Sequence, residues 1–179
     1  MARTAEQIKK RRATAYHETG HAVADHLLGF TTMGATIFPR GNTLGAATQL
    51  DGWGSPGNTG RENEREARNW IVSLLAGHAA EVEFCGKHDN KIGGARTDFD
   101  RAEELLAFAR KPSLDVFRVQ ARNFVRRHRA KIVRVAEELL RCGSLDDGEV
   151  DLLITERGRG LAKYRALRDG TPGRTCTVS

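Results

Sequence analysis

Two histidines and a glutamate in the amino-terminal part of the chain have a spacing that could bind a metal ion. In the stretch HETGH, His17 and His21 are four residues apart and Glu18 follows the first histidine. On an α-helix, positions i and i+4 share a face, so both imidazoles can point at one ion. Neutral imidazole is a good zinc ligand, and a carboxylate beside it can accept a proton from a water molecule that zinc has acidified. The HExxH pattern therefore predicts a zinc site that hydrolyses peptide bonds, with Glu18 as the general base.

A zinc site of this kind needs a third protein ligand. The extended pattern HExxHxxGxxH would require glycine at position 24 and histidine at position 27, but Ala24 and Leu27 stand there. The third ligand must therefore come from another part of the chain. The candidates are seven acidic residues and one histidine: Glu62, Glu64, Glu66, His78, Glu81, Glu83, Asp98 and Asp100.

Helical phase favours three of these candidates. Asp98 is in register with the inward-facing apolar residues of its predicted helix, which are Ala102, Leu105 and Ala109. Glu81 lies at the edge of the apolar stripe of the preceding helix, and His78 lies at its centre, where a packed structural histidine is an equally good explanation. Phase alone does not separate these three residues.

Four helices and a short β region must position the candidates. Between Thr32 and Leu50, β-favouring residues flank the turn sequence PRGN, which predicts a small hairpin beside the HExxH helix. The sequence thus predicts a mainly α-helical, compact domain over residues 1–157, closed by the short element DDGEVDLLITE, and a flexible tail over 158–179. The predicted helices run from about Thr4 to Leu28, through the stripe from Ala67 to Val82, from Thr97 to before Pro112, and from about Leu114 to Cys142.

Composition excludes several classes of protein. The 179 residues are 39% hydrophobic and 29% charged, which is typical of a soluble globular domain. No apolar run approaches the ~20 residues needed to span a bilayer, and the basic start of the chain is not followed by the apolar core of a secretory signal. The cysteines are odd in number and form no CxxC pair, which predicts a reducing, cytoplasmic environment without a disulfide framework.

Four stretches resemble, in the same order, the peptidase domain of the FtsH-type ATP-dependent zinc proteases, the M41 family. They are YHETGHA, IFPRGNTLGAAT, LLAGHAAEVEFCG and GGARTDFDRAEELLAFA. The resemblance covers about Tyr16 to Ile154, since LLRCGSLDDGEVDLLI is similar to the family's C-terminal stretch. It implies a zinc metalloendopeptidase with His17, His21 and Asp98 as ligands and Glu18 as the catalytic glutamate. It also implies that Glu81 is a supporting carboxylate, whereas His78 falls where the family has an arginine.

The departures from the family bear on substrates and partners. No GxxxxGK[ST] pattern occurs, so we expect no ATPase in this chain. In the family, a six-membered disc of peptidase domains lies beneath an ATPase ring that feeds it unfolded chain. We therefore expect unfolded polypeptides or peptides as substrates, arriving freely or through a separate ATPase partner, and no membrane partner. The segment between LLAFARK and DVFRVQARNF is shorter than in the family, which leaves homo-oligomer formation open.

A basic helix predicts a different class of function. Residues 118–134 carry several arginines that could bind phosphate groups, which would make the protein a nucleic-acid-binding or adaptor module with a structural zinc site. The aromatic residues of this region, Phe117 and Phe124, belong to the apolar stripe, so no stacking platform for bases is evident. A charge run of this kind is usually a solvated helix face, and nucleic-acid binding is the less favoured hypothesis. The arginines considered are Arg118, Arg122, Arg126, Arg129 and Arg134.

Overall fold

The structure, a computed structural model, describes residues 4–38, 60–86, 93–111 and 113–169. These ranges are mainly helical, with one two-stranded sheet, and the predicted fold class is confirmed. None of the helices within these ranges has the length and apolarity needed to span a membrane. The helices are α1 (Ala5–Leu28), α2 (Gly60–Cys85), α3 (Gly93–Glu104), α4 (Leu106–Ala109), α5 (Asp115–Arg127), α6 (Arg129–Cys142), α7 (Asp147–Thr155) and α8 (Leu161–Asp169), and the strands are β1 (Ala35–Thr36) and β2 (Ser144–Leu145).

Helix α1 begins and ends at residues whose types favour helix ends. The Thr4 hydroxyl accepts a hydrogen bond from the Gln7 amide, and the Gln7 side chain accepts one from the Thr4 amide, which forms a capping box. Gly29 closes the helix with a φ of 86°, a left-handed conformation that favours glycine. Within this helix the whole HETGH stretch is buried.

Helices α1 and α2 pack against each other at unusually close range, and two glycines allow it. A Cβ atom at Gly20 would lie 2.8 Å from the Cα atom of Gly77, closer than real side chains approach. The apolar stripe of α2 turns toward the core as predicted, and Ala67, Ile71 and Leu75 are all buried. The HETGH stretch therefore lies directly against the backbone of α2.

The β region forms, but its described pairing differs from the predicted hairpin. Strand β1 lies beside α1 and pairs antiparallel with β2, with Ala35 opposite Leu145 and Thr36 opposite Ser144. The PRGN turn and the run that follows it lie outside the described residues, so the hairpin itself stays a prediction. The pairing with β2 joins segments that are distant in the sequence, and no local pattern predicts it.

The third and fourth predicted helices are each interrupted in the structure. The third consists of α3, which begins at Gly93 rather than at Thr97, and the short α4. The fourth is divided into α5 and α6 at His128, whose φ of −102° and ψ of 17° depart from helical values. The apolar phase continues across this break, because Val125 and Ile132 are both fully buried.

Helix α8 lies within residues 158–179, the segment for which the sequence predicts a flexible tail. Its Arg165 is only 7% exposed and donates hydrogen bonds to Glu138 on α6 and to Glu149 on α7. Of the leucines of this helix, Leu161 packs against the core and Leu167 is 75% exposed, so no apolar periodicity indicated the helix in the sequence. Residues 170–179 lie outside the described ranges, and the single-domain division at residue 157 stays a prediction.

Candidate metal centre

Three predicted ligands meet at one buried point between α1, α2 and α3. The Nε2 atoms of His17 and His21 are 3.1 Å apart. The Oδ2 atom of Asp98 lies 3.1 Å from His17 Nε2 and 3.2 Å from His21 Nε2. Both histidines are buried, and Asp98 is partly buried. Helix α3 thus brings its second turn, which carries Asp98, to the two histidines of α1.

The donor triangle fits a small divalent cation. A tetrahedral zinc ion with ligand bonds of about 2.0–2.1 Å holds its ligand atoms about 3.3 Å apart. The three measured separations, 3.1, 3.1 and 3.2 Å, are close to that value. Two imidazole nitrogens and one carboxylate oxygen are also the donor types that zinc accepts. The residues present therefore fit the metal that the HExxH pattern predicts.

Each histidine is held through its other ring nitrogen. His21 Nδ1 donates to the main-chain oxygen of Ser73 at 2.9 Å, and His17 Nδ1 lies 3.4 Å from Glu81 Oε2. A partner on Nδ1 fixes the ring orientation and leaves Nε2 directed at the ion. Glu81 is 7% exposed and lies against His17, one of the predicted ligands, and its supporting role stays a prediction.

Gly77 makes room for the imidazole of His21. A Cβ atom at this position would lie 2.7 Å from both the Cδ2 and the Cε1 atoms of the ring. The ring therefore rests on the bare backbone of α2, and any side chain at Gly77 would displace it.

The electrostatics of the three groups favour positive charge at their meeting point. Burial disfavours the charged imidazole of His17, but its hydrogen bonds with Asp98 and Glu81 outweigh burial and raise its pKa to about 10. Burial also lowers the pKa of His21, but the negative charge of Asp98 and its hydrogen bond with His21 outweigh burial. The pKa of His21 is therefore raised. The pKa of Asp98 is held well below its usual range, because the two histidines outweigh the opposing effect of burial.

Glu18 lies beside this triangle and differs from Asp98 in its proton affinity. Burial raises the pKa of the Glu18 carboxyl, although His17 and His21 act in the opposite direction. The residue is 7% exposed. A buried carboxylate with a raised pKa beside a candidate metal site is suited to accepting and returning a proton.

Comparison with known proteins agrees with this geometry. The family model of Peptidase family M41 matches residues 4–109, which is more than half of the chain. The chain belongs to peptidase family M41. It is 35% identical over 109 residues to the ATP-dependent zinc metalloprotease FtsH of Karelsulcia muelleri (strain DMIN), and this match covers 56% of the chain and 16% of that protein.

Two further relatives show the same pattern of coverage. The chain is 36% identical over 104 residues to the ATP-dependent zinc metalloprotease FtsH of Cupriavidus metallidurans, covering 57% of the chain and 15% of that protein. It is 37% identical over 94 residues to the YME1 subunit of the mitochondrial inner membrane i-AAA protease supercomplex of Saccharomyces cerevisiae, covering 51% of the chain and 12% of that protein. The match thus spans at most 16% of the length of these relatives.

The other ligand candidates whose side chains the structure describes are not part of the donor triangle of this M41 chain. His78 is half-buried, and its ring packs edge-on against Phe99 with centroids 5.2 Å apart. Glu83 pairs with two arginines of the α5–α6 region, Glu64 pairs with Arg68, and Asp100 is exposed. Glu66 is not part of the cluster, and the side chain of Glu62 lies outside the described residues.

Sequence reasoning missed two residues beside the M41 site, Asp25 and Ser73. Ser73 supplies the main-chain oxygen that His21 contacts, and its hydroxyl donates to the Asp25 carboxylate. Both residues are only 1% exposed. The signal that could have found Asp25 is its spacing: it follows His21 by one helical turn, so it shares the ligand face of α1.

The basic helix is largely engaged in holding the fold together. Arg126 and Arg129 contact Glu83 at 3.3 and 3.2 Å, and Arg118 pairs with Asp115. Arg134 donates to the main-chain oxygen of Leu153 at 2.7 Å. Of the five arginines considered, four thus have partners within the described part of the chain, which favours a structural role over nucleic-acid binding.

Proposed function

We propose that this chain is a zinc-dependent metalloendopeptidase that cleaves unfolded polypeptides or peptides. The observation that carries the proposal is the convergence of His17 Nε2, His21 Nε2 and Asp98 Oδ2 at 3.1–3.2 Å, with the buried carboxyl of Glu18 beside them. Membership of family M41 and the similarity to zinc metalloproteases support the same chemistry.

His17, His21 and Asp98 would hold the zinc ion, and Glu81 would orient His17 through its Nδ1 atom. Zinc bound there would supply Lewis-acid activation of a water molecule and of the scissile carbonyl. Glu18 accepts one proton from the attacking water as the oxygen–carbon bond forms. Glu18 then delivers that proton to the amine nitrogen as the carbon–nitrogen bond breaks. A carboxyl with a raised pKa is suited to both steps.

The proposed substrates follow from what this sequence contains. It has no phosphate-binding loop of the GxxxxGK[ST] type, so we propose that it does not unfold proteins by itself. Unfolded chain or peptide would arrive freely or through a separate ATPase partner. The similar FtsH proteins are ATP-dependent by name, and the match covers only a small part of their length. We also propose that copies of this chain form a homo-oligomer, because the chain is similar to the FtsH proteins.

The test combines metal analysis with cleavage of an unstructured fluorogenic peptide. We expect about one zinc ion per chain, as a three-ligand site implies, and cleavage that stops with a chelator and returns with zinc. A stable folded protein should resist cleavage, and ATP should have no effect on the rate. A zinc-free preparation that cleaves the peptide as fast as the zinc-loaded one would overturn the proposal.

A further inference from the structure

We propose that the buried hydrogen bond between Ser73 and Asp25 is a positioning device for His21 and thereby sets the affinity of the site for zinc. The inference rests on the proposed zinc site. It concerns two residues that supply no ligand atom to the donor triangle and take no part in the proton transfers assigned to Glu18.

The device is built from two facing rows of residues on antiparallel helices. On α1, positions 17, 21 and 25 follow one another at one-turn spacing and share a face. On α2, positions 81, 77 and 73 do the same in the opposite direction. Glu81 faces His17, Gly77 lies under the His21 ring, and Ser73 contacts both His21 and Asp25.

Ser73 is held from two sides by residues of the same α1 face. Its main-chain oxygen accepts the Nδ1 proton of His21 at 2.9 Å, and its hydroxyl donates to the Asp25 carboxylate. The bond to Asp25 fixes this turn of α2 relative to α1, one helical turn beyond the histidine. The carbonyl that sets the His21 ring orientation is therefore fixed relative to the helix that carries the ring.

The choice of residue at position 25 supports a role beyond packing. Asp25 is 1% exposed, and burying a carboxylate costs free energy that an apolar side chain would not cost. A well-packed apolar residue would thus serve the α1–α2 contact at least as well. An acceptor for the Ser73 hydroxyl, by contrast, requires an oxygen atom at this position.

The experiment measures zinc affinity by competition with a chromophoric chelator. Ser73→Ala and Asp25→Ala should each weaken zinc binding by about tenfold, the lower end of the range for partners of metal-binding histidines. Both changes break the same hydrogen bond. The double variant should therefore have the same zinc affinity as the single variant that binds zinc less tightly. Asp25→Asn keeps an acceptor oxygen and should bind zinc as tightly as the wild type. Alanine is favourable inside a helix, so Ser73→Ala should fold, which circular dichroism would verify.

Thr19→Val is the matched control. The Thr19 hydroxyl is fully buried on α1 and has no hydrogen-bond partner among the described residues. Its removal should leave zinc affinity unchanged. Equal affinity in the wild type and in Ser73→Ala would overturn the inference, and so would additive losses in the double variant, since additivity means that the two residues act separately.

A second readout needs no zinc and separates this inference from the proposed function. Nuclear magnetic resonance of the zinc-free protein should show a His21 Nδ1 proton that exchanges slowly with solvent. Exchange should be faster in Ser73→Ala and Asp25→Ala but unchanged in Thr19→Val. A wild-type chain that binds no zinc would overturn the proposed function, while the exchange rates still decide whether the Ser73–Asp25 bond positions His21. Unchanged exchange in both alanine variants would contradict it.

Discussion

Two clusters of buried charged or titratable residues stand out in the part of the chain that the structure describes, one between α1, α2 and α3 and the other where α8 meets α6 and α7. In the C-terminal cluster, the guanidinium of Arg165 donates to Glu138 at 2.6 Å and also to Glu149, so cation and anions compensate each other. In the candidate metal centre, by contrast, the atoms that could bind a metal ion converge on one point. The His17 and His21 Nε2 atoms are 3.1 Å apart and share one carboxylate oxygen.

This difference separates a structural ion cluster from a binding site. In the C-terminal cluster, each carboxylate pairs with at least one arginine, so the charges compensate one another without a bound ion. Within the described ranges, no lysine or arginine forms an ion pair with Asp98 or Glu81, and a bound cation would complete the arrangement. Buried titratable groups alone do not indicate function, since structural networks also contain them. Convergence of donor atoms on one point is the more informative feature.

The largest expected effect is loss of the metal. Replacing His17, His21 or Asp98 with alanine should reduce zinc content from about one ion per chain to none, because two ligands bind too weakly to retain it. Glu81→Ala should keep the ion with an affinity about 10- to 100-fold lower. Elemental analysis and chelator competition measure both. The ligand assignment fails if Glu81→Ala empties the site while Asp98→Ala leaves it filled.

Breaking the C-terminal cluster should affect stability and not the metal. Arg165→Ala removes the buried arginine that bridges Glu138 and Glu149 and leaves Glu149 with only the more exposed Arg168, so it should lower the free energy of unfolding by about 1–3 kcal/mol. Urea denaturation measures the loss, and zinc content should stay at the wild-type level. The exposed Lys163 on the same helix provides the control, since Lys163→Ala should change stability by less than about 0.5 kcal/mol. Zinc loss in Arg165→Ala would show that the two clusters are not independent.

The two clusters should also differ in their response to pH between 6 and 8. The raised pKa of His17, about 10, means that zinc must displace protons from its ligands in this range. Zinc affinity should therefore rise with pH by about tenfold per pH unit for each proton displaced. In the C-terminal cluster, burial raises the pKa of the Glu138 carboxyl, but hydrogen bonds from Arg141 and Arg165 outweigh burial. The pKa of Glu138 is therefore lowered.

A lowered carboxyl pKa gives a stability contribution that is present at neutral pH and lost only as the pH falls through the folded-state value, below about 4.3. The destabilisation caused by Arg165→Ala should thus be the same at pH 6 and pH 8, while zinc affinity changes. A zinc affinity that is constant over this range would contradict the raised pKa values of the histidines.

Much of the fold could be predicted because the relevant signals are local. The ends of α1 follow from the capping residue Thr4 and the left-handed Gly29. The inward face of α2 follows from apolar spacing. The β1–β2 pairing and the docking of α8 through Arg165 could not be predicted, because each depends on partners far away in the sequence.

In the candidate site, the positions of the two histidines could be predicted from the sequence more fully than the position of Asp98. The spacing of His17 and His21 places both on one face, so their proximity follows from helix geometry. Asp98 could not be separated from Glu81 and His78 by phase, because all three occupy inward or boundary positions and only tertiary packing decides which one reaches the histidines. The structure brings Asp98 to both Nε2 atoms and Glu81 to the opposite side of His17. The family resemblance implies that Asp98 is a ligand and Glu81 a supporting carboxylate, and these roles stay predictions.

The most direct test of the proposed peptidase is a comparison of the wild type with Glu18→Gln, both fully loaded with zinc. Glutamine keeps the size and shape of the side chain but cannot accept the proton from water. The variant should fold and bind zinc normally, and it should cleave an unstructured peptide at least about a hundredfold more slowly, since loss of a general base typically costs 100- to 10,000-fold. A chelator control identifies cleavage by contaminating proteases. Equal rates of zinc-dependent cleavage by the two proteins would contradict the role of Glu18 and the metallopeptidase mechanism built on it.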